Sequence, residues 1–250
     1  MPRPLTAAAL TAALALCAAG PAAAPAAASS GPSVLYGFAW ADGTGALRIT
    51  PAKATPVKRH GVLRYTLKPL PGAGERRIDY SGAEFRRITA ECDLKETEGV
   101  VKLDKKGLGR TRCQAADLTA ALGHGPVPVR ISILGEEKRI HEFLANPTAS
   151  KKAYGTVKRV NGTTVVFTKG KTSVKLGYTL LDFRRVTGKC GDSWLADHVN
   201  AARNGLGTKA CGTSSFTRAL KGAEYPVLAR VEYDPVRGQL LQVWEVFGDA

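Results

Sequence analysis

Four cysteines stand at two equal spacings: Cys92 and Cys113, then Cys190 and Cys211, each pair 21 residues apart. Thiols can bridge, hold zinc or act as nucleophiles. A zinc clip needs two ligands a few residues apart, as in C-x2-C, and these gaps have none, so no metal is expected. Bridging removes the nucleophile reading as well. Which cysteine bonds to which is left open by the spacing alone, since four cysteines permit three pairings.

A second recurring group is basic. Glu84-Phe85-Arg86-Arg87-Ile88-Thr89 is echoed by Asp182-Phe183-Arg184-Arg185-Val186-Thr187. On a strand, alternate side chains share a face. If Phe85 and Phe183 point to a core, so do Arg87 and Arg185, while Arg86 and Arg184 meet solvent. A buried guanidinium needs a partner or costs several kcal/mol. The last strand of each copy offers one, Glu142 in Ile140-His141-Glu142-Phe143 and Glu245 in Val243-Trp244-Glu245-Val246. Structural pairs Arg87–Glu142 and Arg185–Glu245 are expected. The competing reading has the same arginines lining an anion pocket.

Other cations cluster as Lys53, Lys58, Arg59 and His60, and as Lys151, Lys152, Lys158, Arg159, Lys169, Lys171 and Lys175. The second set spans a linker and a hairpin and is the candidate anion-binding stripe. Such a stripe suits a polyanion when aromatic residues accompany it. Of the histidines, His60 and His124 each precede glycine and read as turn residues, and His198 reads as a core residue. None has metal-binding spacing with another, and no G-x-S-x-G elbow or phosphate loop is present. The chain is therefore read as non-enzymatic and without a cofactor.

These groups sit in a duplicated frame. Shifted by 98 residues, Glu84–Val129 aligns with Asp182–Val227 without a gap, and 15 of 46 pairs are identical. Both cysteine pairs and Gly107-Leu108-Gly109 over Gly205-Leu206-Gly207 keep register. Two like modules most simply bond Cys92 to Cys113 and Cys190 to Cys211, each closure worth about 3 kcal/mol by chain entropy. The modules are expected at residues 33–144 and 153–248, joined by a linker at 145–152 containing Pro147 and Lys151-Lys152.

The elements follow from local pattern. In the second copy, Val157–Val160 and Thr163–Thr168 flank Asn161-Gly162, the signature of a type I′ hairpin. Val174, Leu176 and Tyr178 alternate in a third strand, and Leu180–Thr187 carries the Phe-Arg-Arg run. A helix is expected from Asp192 or Ser193 to Gly205, with Trp194, Leu195 and His198 on one face. A weaker helix is expected after Asp93, with Glu96 at capping-box spacing. Shorter helices are expected over Ala115–Gly123 and Ser214–Gly222, and a closing hairpin turns at Asp234–Gly238. The fold class is thus α+β: two tandem antiparallel-sheet modules with one or two short helices each. Their strand order resembles an OB-type barrel, with a helix between the third and fourth strands, and that likeness carries no function. The segment Thr50–Lys58 has no counterpart in the second copy and reads as a binding loop.

The chain opens with Arg3, an apolar stretch over Leu5–Gly20 and small residues ending Ala26-Ala27-Ala28, the order of a secretory signal at residues 1–28. Removing it removes Cys17, leaves an even number of cysteines and places the protein outside the cell. Lysine and arginine number 36 against 21 aspartate and glutamate, a formal net charge of +15. That excess attracts polyanions. Two functions are expected to compete: a secreted binder of an anionic polymer, and an extracellular protein-interaction module such as an inhibitor of secreted hydrolases.

Overall fold

In the computed structural model, which describes residues 33–95, 97 and 99–248, alternating apolar residues become strands with one face turned inward, as a two-residue period requires. In the first half these are β1 (Ser33–Ala41), β2 (Ala46–Ile49), β3 (Ala52–Arg59), β4 (Val62–Pro69), β5 (Arg76–Asp79), β6 (Glu84–Arg87), β7 (Thr111–Cys113), helix α1 (Ala115–Gly123), β8 (Val127–Leu134) and β9 (Glu137–Glu142). The second half has β10 (Lys151–Arg159), β11 (Thr164–Lys169), β12 (Thr172–Gly177), β13 (Asp182–Arg185), β14 (Lys209–Cys211), α2 (Thr213–Lys221), β15 (Val227–Asp234) and β16 (Gln239–Glu245). The described chain is mostly β, with two short helices of nine residues each. The expected signal at 1–28 lies outside the described residues.

Each half builds a seven-stranded sheet in the same order, β5-β2-β1-β8-β9-β6-β7 and β12-β11-β10-β15-β16-β13-β14. Most neighbours run antiparallel. The exceptions are β6 beside β9 and β13 beside β16, which run parallel, and a parallel bridge from Gly177 of β12 to Gln239 of β16. Phe85, Leu118 and Ile131 anchor one core; Phe183, Phe216 and Val243 anchor the other. Each helix lays its apolar residues on its sheet, Leu118 and Leu122 from α1, Phe216 and Leu220 from α2.

Four expectations are corrected here. No helix occupies Asp192–Gly205; the segment is a loop in which Leu195 takes φ 54° and Ala201 bridges Gly207. The reason is local. Arg185 takes the carbonyls of Asp192 and Ser193, which helical amides four residues on would need. The described residues between Asp93 and Arg110 also form no helix, and Glu96 itself lies outside them. His198, expected in a core, is exposed and stacks on Phe247 at 4.3 Å. Asn161-Gly162 is not a type I′ turn, since neither residue has positive φ; the Asn161 side chain instead accepts the Thr163 amide at 3.0 Å. The positive pair is His60-Gly61, φ 48° and 79°, at the tip of β3–β4.

The expected binding loop at Thr50–Lys58 is mostly strand β3. It pairs with β4 as a separate two-stranded sheet, and this hairpin packs Tyr65 and Leu67 against Phe38, Leu108 and Phe143 in a third apolar cluster. The expected linker is tied at both ends. The Tyr65 amide donates to the Leu144 carbonyl and Asn146 donates to the Tyr65 carbonyl, both at 2.8 Å, while Lys151 and Lys152 already belong to β10.

Candidate functional site

Two disulfides close the loops that follow β6 and β13: Cys92–Cys113 and Cys190–Cys211, with Cα atoms 5.6 and 5.7 Å apart. Asp117 brings a carboxylate within 4.8 Å of the first pair. Both sulfurs there are spent on each other, so the trio offers one free ligand, and Asp117 accepts the Gln114 amide at 2.7 Å.

Beneath each disulfide lies an arginine and a glutamate. Arg185 Nη2 is 2.7 Å from Glu245 Oε1, and both side chains have 0 % exposure. The guanidinium also donates to the carbonyls of Lys189, Cys190, Asp192 and Ser193, at 2.7 to 3.2 Å. Glu245 accepts the amides of Val186 and Leu195. Arg87 Nε is 3.3 Å from Glu142 Oε2, and its Nη1 reaches the carbonyls of Cys92 and Leu94 at 2.6 Å. In both halves the arginine gathers loop carbonyls around a buried charge, though Arg185 Nε has no partner among the described residues. The glycines at Gly109 and Gly207 are required beside it. A Cβ there would come within 2.5 and 2.4 Å of the backbone of Arg87 and Arg185.

The two pairs differ in access. In the second half both side chains are wholly buried, and Trp194 of the adjoining loop stacks on Phe183 at 5.5 Å. In the first, Arg87 and Glu142 line a cavity of about 440 Å³ with Asp117, His124 and Arg237. Burial pushes the Glu142 carboxyl above the usual carboxylate range; Arg87 and the Ile88 amide pull it down without cancelling that. A raised acid beside a cavity resembles a general acid, yet Glu142 Oε2 is already held by Arg87 and Ile88.

The seven candidate anion-binding residues do not form one stripe. Lys152 pairs with Glu232 at 3.2 Å and Lys175 with Glu75 at 2.5 Å. Lys151, Lys158, Arg159, Lys169 and Lys171 are exposed, with no carboxylate in ion-pair range among the described residues. Lys158 and Lys175 flank Val166 in register on the outer face of β10, β11 and β12. Lys169 and Lys171 stand at the β11–β12 turn, and Lys151 and Arg159 at the ends of β10. Of the first cluster, Lys53, Lys58 and Arg59 are exposed on β3.

The outer face of the second sheet carries a row that composition and spacing did not reveal. Tyr154 of β10 lies opposite Arg230 of β15, Arg230 opposite Trp244 of β16, and Trp244 beside Arg184 of β13. The Arg230 guanidinium is 5.7 Å from the Tyr154 ring and 5.2 Å from the Trp244 ring, with no carboxylate in ion-pair range among the described residues. Arg184 is held by Asp182 at 3.0 Å. Tyr154 is 42 % exposed. The available signal was parity: Tyr154, Arg230 and Trp244 each occupy the outward position of an alternating strand. Chemically, the row offers ring edges and guanidinium groups side by side, which suits chains that present flat groups and negative charge together.

The first half has the matching row, Tyr36, Arg130, His141 and Arg86. There the hairpin intervenes, with Tyr65 5.9 Å from Tyr36. Burial pushes the His141 imidazole below its usual range. No helix among the described residues is long and apolar enough to cross a membrane. No protein-family model, no curated protein and no solved structure matches the chain.

Proposed function

We propose that this chain is a secreted, non-enzymatic binding protein that engages an anionic polymer of the cell envelope or surroundings. The observation that carries the reading is Arg230, a cation without a carboxylate partner among the described residues, set between Tyr154 and Trp244 on an outer sheet face where Tyr154 is exposed. Lys158 on the same face adds positive charge, and the chain as a whole is +15. Export through a signal at residues 1–28 fits the two disulfides, which persist in oxidising compartments.

The architectural reading that goes with it is a pair of OB-like α+β modules, 33–144 and 153–248, derived by duplication and joined at 145–152. Its support is the order β12-β11-β10-β15-β16, with α2 before β15 and parallel pairing onto β16.

Binding to immobilised polyphosphate at about 50 and 200 mM salt tests the function. With about four phosphate contacts the affinity falls about a hundredfold between these salts, and Arg230→Ala or Trp244→Ala weakens it by about tenfold at the lower salt. Unchanged affinity in both variants overturns the reading. Salt-insensitive capture of a secreted hydrolase would favour the alternative, an extracellular protein-interaction module.

A further inference from the structure

A cavity of about 400 Å³ lies where the two halves meet, and both contribute its walls. Phe38, Trp40, Arg48 and Glu75 come from the first half, Lys175 and Arg237 from the second. Its charges do not balance. Arg48, only 5 % exposed, places Nη1 2.8 Å from Glu75 Oε2. Lys175 Nζ takes the other Glu75 oxygen at 2.5 Å. Burial alone would lift the Glu75 carboxyl, but the Lys175 and Arg48 hydrogen bonds and charges outweigh it and hold it below the usual range. One ionised carboxylate is therefore shared by two cations.

The third cation, Arg237, has Asp234 Oδ2 at 3.4 Å, in ion-pair range but without hydrogen-bond geometry. Asp234 is otherwise engaged by the Thr148 hydroxyl and by the amides of Val236 and Arg237. Even with Asp234 counted, three cations face two carboxylates among the described residues. Arg48 is buried, while the side chains of Lys175 and Arg237 keep 39 % and 38 % exposure, so the unmatched positive charge is open to an incoming anion.

Two of the remaining wall residues, Trp40 and Phe38, are aromatic and are held in place. The Arg48 guanidinium lies 5.3 Å from the Trp40 ring and that of Arg237 lies 5.6 Å from Phe38. Trp40 Nε1 donates to the Arg237 carbonyl at 2.7 Å, and its ring rests on Gly177, where any Cβ would come within 2.6 Å of it. A fixed wall adds affinity by sparing the ordering cost of binding. Concave, largely apolar sites with a few convergent polar groups at such junctions are the usual form of small-molecule sites.

We propose that this cavity binds a small anion with a ring-sized apolar body, an aryl carboxylate or aryl phosphate. The anionic group meets Arg48, Lys175 and Arg237, and the ring lies against Trp40 and Phe38. Calorimetric titration of the full exported chain with benzoate, phenyl phosphate, inorganic phosphate and benzyl alcohol tests this. Either aryl anion binds saturably, and the stronger of the two identifies carboxylate or phosphate as the preferred group. Inorganic phosphate and benzyl alcohol, each lacking one half of the recognition, bind at least about tenfold more weakly. Lys175→Gln weakens the aryl anion by about tenfold or more, and Ala73→Trp, which fills the cavity, abolishes binding. Arg230→Ala leaves it unchanged, so the fate of this site is read separately from polymer binding. The proposal is overturned if neither aryl anion binds at about 10 mM, or if Lys175→Gln binds as well as the unmodified chain.

Discussion

On the second half, Tyr154, Arg230, Trp244 and Arg184 cross the sheet in one open row. On the first, Tyr36, Arg130, His141 and Arg86 cross at the matching place, and the β3–β4 hairpin lies over the Tyr36 end. One inserted hairpin separates the two outcomes. It turns an outward tyrosine into part of an apolar cluster with Tyr65 and Phe143. The buried pairs diverge as well: Arg185–Glu245 is wholly buried, while Arg87–Glu142 borders a cavity. One strand order thus supports a covered face with a buried ion pair beside a cavity in one half, and an open face with a wholly buried pair in the other.

The sharpest way to break this comparison is to remove one charge from each pair. Glu245→Ala leaves Arg185 buried without its counter-charge and should cost about 3–5 kcal/mol. Glu142→Ala should cost about half of that, because water in the adjoining cavity can reach Arg87. Urea denaturation followed by circular dichroism measures both, and equal losses would erase the distinction between the wholly buried pair and the one beside a cavity. The disulfides come next. Replacing Cys190 and Cys211 with serine should cost about 3 kcal/mol, and the Cys92 and Cys113 replacement the same, since the closed loops are equally long. A large inequality would show that one loop keeps its shape without the bond.

A binding experiment comes third in size. Exchanging β3–β4 for a short Gly/Ser bridge uncovers Tyr36 and Arg130. Polyphosphate affinity should rise about fivefold, the worth of one added aromatic platform at about 1 kcal/mol. Unchanged affinity would mean that the two rows are alike only in register.

The smallest effect is a contrast in pH. The Glu142 carboxyl is raised in the folded state, so its contribution to stability is present below the ordinary carboxylate range and is lost as pH rises through the raised value. Glu75 is lowered, so its contribution is present above the ordinary range and is lost as pH falls through the lowered value. Melting temperatures of Glu142→Gln and Glu75→Gln, each compared with the unmodified chain across pH 3 to 7, should therefore drift in opposite directions. Parallel drifts would contradict the assigned environments.

Much of this frame could be read from residue order. Phe-Arg-Arg parity placed Arg87 and Arg185 inward, and the same parity in β9 and β16 placed Glu142 and Glu245 opposite them. The two nine-residue helices were legible because Leu118, Leu122, Phe216 and Leu220 recur at helical spacing. The segment after Cys190 misled because Trp194, Leu195 and His198 also fit that spacing. What decided it lay just upstream of the segment: Arg185 claims the carbonyls of Asp192 and Ser193 that a helix would have used. Lys175 was readable as a cation but not as a partner of Glu75, 100 residues away. The Tyr154–Arg230–Trp244 row draws on three strands, and no local window contains it.

The short strap between the halves has a mechanical consequence. Its leading end is stitched to β4 through Asn146, and Thr148 and Ser150 are fastened to Asp234 and Glu232 on β15. Such a strap works as a rivet where a flexible tether would let each half swing. The proposed polymer, where it spans both halves, would meet them at one fixed distance and angle.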